Sequence, residues 1–270
     1  MKLIAFLLLN IVFVWSSPSL SNEVLKQFPE LHDAGVVIID TQNNVRISAN
    51  ENTPYIPAST TKLVTAWLAL NHWGEDHHFR TYFYFDELTK TLWIKGSGDP
   101  FLVSEELLLI AQNLTQLGLH NVQSIGIDNS LFQADLLAPG ASKTNNPYDA
   151  IPTSLAANFN TLEVKTRAGN IVSAETQTPI TSTAMKIATQ QHISKQSLRI
   201  NTGFSSQTAE QYFAELLAAF LHQQGVNVTE NIIWGSAPKL TPYYIHINSK
   251  SLGEIIRPMM KYSTNFIANQ

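Results

Sequence analysis

From about residue 80 to residue 245 the chain is a succession of short apolar runs, each closed by turn residues, and this strand-rich middle lies between two stretches with helical spacing. The order reads as an α+β chain. Gly35 to Asp40 (GVVIID) reads as a buried strand, Asn43-Asn44 as a turn and Val45 to Ser48 as the returning strand. Ser59 to Trp73 has helical spacing, with Leu63, Ala66, Leu70 and Trp73 on one side. Tyr82 to Phe85 and Leu92 to Lys95 read as strands around a turn, followed by the tight loop Gly96-Ser97-Gly98-Asp99-Pro100. Glu105 to Leu117 reads as a helix ended by Gly118, and Ser124 to Asp128 as a strand. Asn129 to Asn160 is long, irregular and rich in Pro, Gly and Asn, a length usually associated with function. Leu162 to Lys165, Met185 to Thr189, Leu198 to Asn201, Ile232 to Trp234 and Tyr244 to Ile247 read as strands. Ala209 to Gln224 reads as an amphipathic helix stopped by Gly225. Ser251 opens a last helix, with Glu254 completing a capping box, and it runs to about Tyr262.

The 270 residues allow one large domain or two modest ones, and 44% hydrophobic against 14% charged residues is enough for a packed core. A formal net charge of -4 argues against a nucleic-acid partner, because neutralising phosphates needs a basic face. With no cysteine, disulfides, thiolate zinc sites and cysteine nucleophiles are excluded together. Lys2, the apolar Leu3 to Trp15 and the small polar Ser16 to Ser21 follow the order of a signal peptide, with cleavage expected after Ser21. The alternative is an uncleaved N-terminal anchor, although the apolar stretch is short for a membrane span. The expectation is a protein secreted across the inner membrane into the periplasm, with no transmembrane anchor after cleavage.

Ser59-Thr60-Thr61-Lys62 is the first candidate for chemistry. A serine hydroxyl needs a base to take its proton, and a lysine three residues later on a helix lies on the same face. The positive end of the helix dipole disfavours an ammonium there, and the same helix start aims backbone N–H groups at a developing oxyanion. The spacing alone discriminates poorly, since Ser236-Ala237-Pro238-Lys239 matches it too. Pro238 disfavours a helix through that second match, whereas Ser59 follows Pro57-Ala58 and begins a strong helix. The competing role for Ser59 is an ordinary helix N-cap. Ser263-Thr264-Asn265 is the second candidate: a serine can relay a proton, and an amide can orient the lysine and hold a substrate carbonyl. Ser48-Ala49-Asn50 repeats that pattern but precedes Ser59, and Ser263 could instead cap or break the helix after Tyr262.

The stretch from Pro57 through Lys62 to Ala66 resembles the nucleophile helix of the D-alanyl-D-alanine carboxypeptidase/endopeptidase family, the class C low-molecular-mass penicillin-binding proteins. Gly96 to Pro100, Ile127 to Phe132, Ala138 to Gly140 and Ile255 to Ala268 (IIRPMMKYSTNFIA) resemble further passages of that family in order. The resemblance covers nearly the whole chain after residue 21. It implies a penicillin-binding/β-lactamase-like transpeptidase domain with an inserted strand-rich domain: residues 22–80 and 249–270 as parts of the first and 81–248 as the insert. It implies that Ser59 is acylated by a peptidoglycan stem peptide, that Lys62 is its base, and that Ser263 and Asn265 assist. β-Lactams are implied to acylate the same serine, and no cofactor is called for. About 200 residues between Lys62 and Ser263 is somewhat short for the family.

Asp99 could contact a substrate amine, or simply form the turn in its Gly/Pro loop, which the residues favour slightly. His77-His78 reads as surface rather than metal site, because no carboxylate pattern accompanies it. The family's third motif, Lys-Thr-Gly or a close variant, does not follow Asn265; the nearest match, Asn201-Thr202-Gly203, lacks the cation and comes earlier. The fold is therefore expected to be incomplete, with an apolar edge near residues 35 to 48. Losing one oxyanion donor typically costs about 100- to 1000-fold in rate, so this chain is expected to be a fragment with little or no peptidase activity. A non-catalytic binder of peptidoglycan peptides, and a β-lactamase or esterase with the same Ser–Lys pair, are the competing functions. The long insert argues against the latter.

Overall fold

A computed structural model describes residues 33–138, 140–191, 193, 196–229 and 231–270. The expected signal peptide lies outside them. The chain divides into two compact units, residues 1–58 and 59–270.

In the first unit β1 (Val36–Ile39) pairs antiparallel with β2 (Val45–Ala49). The turn between them is built by Asp40, whose Oδ1 accepts the backbone N–H groups of Gln42 and Asn44 at 2.9 Å each. Asn43 there takes a positive φ of 64°, which asparagine tolerates. The buried strand expected from the apolar run GVVIID is not buried: Val37, Ile38 and Ile39 are 49%, 40% and 55% exposed. Among the described residues β1 has β2 as its only pairing partner, so the faces of a two-stranded ribbon stay open whatever their hydrophobicity.

Ser59 and Thr60, the last residues of a 3-10 turn (Ala58–Thr60), open the second unit and lead into helix α1 (Thr61–Trp73). The hairpin β3 (Arg80–Asp86) and β4 (Thr91–Lys95) leads to α2 (Ser104–Gln116), β5 (Asn121–Val122) and β6 (Ser124–Asp128). After the irregular segment come β7 (Thr161–Arg167), β8 (Asn170–Ser173), α3 (Ser182–Gln190), β9 (Leu198–Asn201) and α4 (Ser206–Gln223). Next are β10 (Asn227–Val228), β11 (Ile232–Trp234), β12 (Tyr244–Ile247), α5 (Leu252–Tyr262) and the short α6 (Asn265–Asn269). The main sheet has the order β11-β6-β4-β3-β12, with β6 parallel to β4 and to β11, and β12 antiparallel to β3. β8-β7-β9 forms an antiparallel three-stranded sheet, and β5 pairs in parallel with β10.

One large core joins these sheets to α2 and α4 through residues such as Phe83, Ile94, Leu107, Ile110, Phe213 and Leu217. A smaller core joins α1 to α5 and α6: Ala66 with Leu252, Ile255, Ile256, Met259 and Ile267. The strand expected at Met185 to Thr189 is instead the helix α3. Thr181 caps it, accepting the N–H of Ala184 at 3.1 Å, and Ala184 and Ala188 are buried one turn apart. Thr183 adds an anchor, its N–H and hydroxyl both donating to Glu215 at 2.8 Å. The second Ser-x-x-Lys match, Ser236 to Lys239, is not helical.

The segment 129–160 is irregular apart from two 3-10 turns, Pro147–Asp149 and Asn158–Asn160, yet it is pinned throughout. Asp149 accepts from Ser142 N–H and the Thr144 hydroxyl, at 3.1 and 2.5 Å. Asn160 Nδ2 donates to Ile151 O and Thr153 Oγ1, and Ser154 Oγ to Asn129 O. Gly96 lies so close to this segment that a Cβ there would fall 1.9 Å from the Ser154 carbonyl oxygen. Only glycine allows the Gly96–Pro100 loop to lie against it.

Replacing Phe213 with alanine should destabilise the second unit by about 3–5 kcal/mol, read from the shift of its denaturant midpoint. Burial pushes Glu210, which accepts from Asn129 Nδ2 and Trp234 Nε1, up to about 7. A folded-state value raised above the unfolded one means that its stabilising proton is fully held below about 4.5 and lost as pH rises through 7. Glu210→Gln should therefore flatten the fall in stability between pH 5 and 8, measured by denaturation across that range.

Candidate active site

Ser59 sits in the 3-10 turn that feeds α1, with its side chain exposed, while Lys62 in the helix's first turn is 7% exposed. The N-cap position of α1 is Thr60, so Ser59 does not fill the capping role open to it. The Lys62 ammonium donates to Ser59 Oγ at 3.1 Å, to Ser263 Oγ at 3.2 Å and to Asn265 Oδ1 at 2.6 Å. These are three neutral oxygens for the three donors of an ammonium. Among the described residues no carboxylate pairs with Lys62. Burial without a counter-charge pushes the Lys62 amine below its ordinary value.

The helical face that buries Lys62 overlaps the expected one at Ala66 and Leu70 but not at Leu63 and Trp73. Lys62, Ala66, Ala69 and Leu70 turn inward, whereas Leu63 and Trp73 are 61% and 48% exposed. The inward face is rotated toward Lys62 and Ala69, and a lysine on it carries no apolar signal in the sequence.

Ser263 and Asn265 arrive from the other end of the unit. Leu252, Ile255, Ile256 and Met259 make one apolar stripe on α5, at i, i+3, i+4 and i+7. The capping box fixes where this helix starts: Ser251 Oγ accepts Glu254 N–H at 3.4 Å, and Glu254 Oε2 accepts Ser251 N–H at 2.9 Å. The residues before it are held too. Asn248 Nδ2 donates to both oxygens of Asp99, and the buried Glu106 carboxylate receives His246 Nε2 at 2.8 Å and the Ser249 hydroxyl. Ser263 ends α5 in the left-handed conformation (φ 55°, ψ 42°), turning the chain so that Asn265 begins α6 beside Lys62.

Sequence reasoning missed what orients Asn265. Its Nδ2 donates 3.2 Å to the carbonyl oxygen of Tyr148, in the irregular segment, which leaves Oδ1 for the lysine. It also missed Phe159, whose ring meets Phe101 and Phe266 edge-on at 5.6 and 6.0 Å and ties that segment to α6. A backbone acceptor leaves no mark in a sequence; the length of the segment was the available signal.

Asp99 is 1% exposed, accepts Phe101 N–H at 2.8 Å as well as Asn248, and burial pushes it up to about 6. It lies in the Asx-turn geometry of its loop, and the structure brings Ser59, Lys62, Ser263 and Asn265 together without it. His77 stacks on Trp73 at 5.6 Å, and His78 Nδ1 lies 2.7 Å from Asn248 O. Among the described residues no cluster of three His, Asp or Glu side chains is placed to hold a metal ion, and no helix is long and apolar enough to cross a membrane. A groove of about 410 Å³ borders Ser263 and Asn265, lined also by Tyr148, Phe159, Glu175 and Arg199.

The fold is of the penicillin-binding type, and in it a buried lysine meets an exposed serine one turn earlier and a Ser-x-Asn element from a distant helix. Residues 19–270 match the D-Ala-D-Ala carboxypeptidase 3 (S13) family, and the chain belongs to that family. It is 29% identical over 136 residues to the D-alanyl-D-alanine carboxypeptidase of Actinomadura sp. (strain R39), covering 47% of this chain and 25% of that protein. Its fold is similar to the crystal structure of penicillin binding protein 4 from Haemophilus influenzae, with a TM-score of 0.68 at 19% identity over 91% of this chain and 63% of that one. The same protein complexed with a β-lactam gives a TM-score of 0.60, also at 19% identity, over 91% and 61% of the two chains. The chain thus spans a quarter of the curated relative and less than two thirds of the solved chains.

If the low Lys62 value comes from burial and the Asn265 acceptor opposes it, Asn265→Leu should lower it further. The Lys62 Nζ titration, followed by NMR of labelled lysine, should then move to lower pH; a rise would show that the amide is not the ammonium's main acceptor.

Proposed function

We propose that this site carries out serine acyl transfer on peptidoglycan stem peptides ending in D-alanine. What carries the reading is the single ammonium of Lys62, buried without a carboxylate and within hydrogen-bond reach of both Ser59 Oγ and Ser263 Oγ. In its neutral form Lys62 takes the Ser59 proton as Oγ attacks the carbonyl carbon of the scissile peptide bond. The C–N bond breaks, and the leaving amine receives a proton relayed from Lys62 through Ser263. Asn265 holds the lysine and offers its amide to the substrate. Water then cleaves the ester of Ser59 by the same path in reverse. A terminal D-alanine as leaving group makes the reaction a carboxypeptidase step, and a crosslinking amine makes it an endopeptidase step. A β-lactam presents an equivalent strained amide to Ser59.

The periplasm is the compartment where such a substrate is met, in keeping with the leader-like residues 1–21. We assign residues 22–80 and 249–270 to the catalytic domain and 81–248 to its insert. The small core shared by α1, α5 and α6 supports that division, with Phe101 and Phe159 of the insert packed at its border.

Incubation with a labelled penicillin followed by peptide mass mapping should place one adduct on Ser59, and Ser59→Ala should abolish it. Lys62→Arg should slow labelling by about 100- to 10,000-fold, the usual worth of a general base. The rate should climb as pH rises through the lowered Lys62 value, below the ordinary 10.5, because only the neutral amine accepts a proton. Absence of any adduct, together with retained binding of stem peptide, would favour the non-catalytic reading.

A further inference from the structure

A second cavity, of about 680 Å³, lies in the strand-rich middle and shares no lining residue with the groove at Ser263 and Asn265. One wall is α3, where Thr183, Lys186, Ile187 and Gln190 follow one another at i, i+3, i+4 and i+7 and so face the same way. The opposite wall is the start of α4, an 18-residue helix whose N-terminal end carries partial positive charge. The third wall, residues 143–145, is held to β9 by backbone contacts. Asn201 N–H donates to Asn145 O at 3.1 Å, and Asn201 Nδ2 to Thr144 O at 2.8 Å.

The charge in this cavity is one-sided. Lys143 and Lys186 line it and no carboxylate does, in a chain whose net charge is -4; the Glu215 carboxylate behind the wall is taken up by Thr183 and Gln211. Among the described residues neither lysine has an acidic partner, a condition shared with other cations such as Lys95 and Lys261; what sets these two apart is that they line one cavity together. The rest of the lining is mostly amide and hydroxyl, and Thr202 in it is 2% exposed with an Oγ1 that makes no hydrogen bond. Two uncompensated cations among amides and hydroxyls suit a carboxylated peptide better than an apolar ligand.

We propose that this cavity is an anchoring site for a second, non-reacting peptidoglycan stem peptide, bound through its carboxylates to Lys143 and Lys186. The proposal rests on the stem-peptide reading of the Ser59 site. The substrate there is one of many anionic peptides on a polymer, so holding a neighbouring peptide raises the effective concentration of the next at Ser59. The wall bearing Lys143 and the carbonyl of Tyr148 that holds Asn265 belong to the same pinned segment, five residues apart.

The probe is a soluble disaccharide tetrapeptide with free carboxylates, titrated into the full chain while backbone amide shifts are followed. Shifts at residues 143–145, 183–191 and 201–208 are expected. Reversing both charges (Lys143→Glu with Lys186→Glu) should weaken that binding at least tenfold, as should amidating the peptide's carboxylates. Both lysines are exposed, so the fold should survive; single Lys→Gln variants, each with a smaller loss, guard against a folding defect. Equal affinity in the charge-reversed chain, or shifts confined to residues 59–62 and 263–265, would overturn the proposal. So would displacement by inorganic phosphate at matched ionic strength. Penicillin labelling of Ser59 should be unchanged in the double variant. A failure of labelling in the unaltered chain would count against the catalytic reading while leaving the carboxylate-binding result to be judged by itself.

Discussion

The site depends on the apolar packing of α5 and α6 against α1. Ala66, Leu252, Ile255, Ile256, Met259 and Ile267 form a core of their own. Its burial brings Ser263 and Asn265 to a lysine 201 and 203 residues earlier in the chain. The hydrogen bonds to Lys62 are the result of this docking rather than its cause, because three neutral acceptors do little more than offset the desolvation of an ammonium. Hydrophobic burial supplies the driving force, and the polar contacts set the register in which the helices meet.

The middle of the chain serves the site through anchoring. β12 delivers α5, and the residues between them are fixed by Asp99 and Glu106, both buried carboxylates that spend their oxygens on Asn248, His246 and Ser249. The irregular segment reaches the same place from another direction, through the Tyr148 carbonyl and the Phe159 ring. Two unrelated stretches of chain thus constrain the position of one amide.

The helix start at Ser59 to Lys62, the capping box at Ser251 and the main strands of the large sheet could be read from local chemistry, because each depends on residues close in sequence. The decoy at Ser236 to Lys239 was legible for the same reason, through Pro238. The run Met185 to Thr189 was not. Its apolar and β-branched residues suit a strand, and the helix is decided by the Thr181 cap and by Glu215, more than two dozen residues away. The exposure of Val37 to Ile39 was likewise invisible, since burial depends on which elements lie alongside a strand and not on its own residues. On α1 the inward positions Ala66 and Leu70 were legible from their spacing, whereas Lys62 was not, because a buried lysine looks, in sequence, like a solvent-facing one.

The long separation between Lys62 and its two distant partners also imposes an order in time. A chain made from its N-terminus exposes Ser59 and Lys62 long before Ser263 and Asn265 exist. Until α5 docks, Lys62 lacks the burial that pushes its amine below the ordinary value. The arrangement around Ser59 and Lys62 therefore forms only once α5 and α6 have been made and have docked.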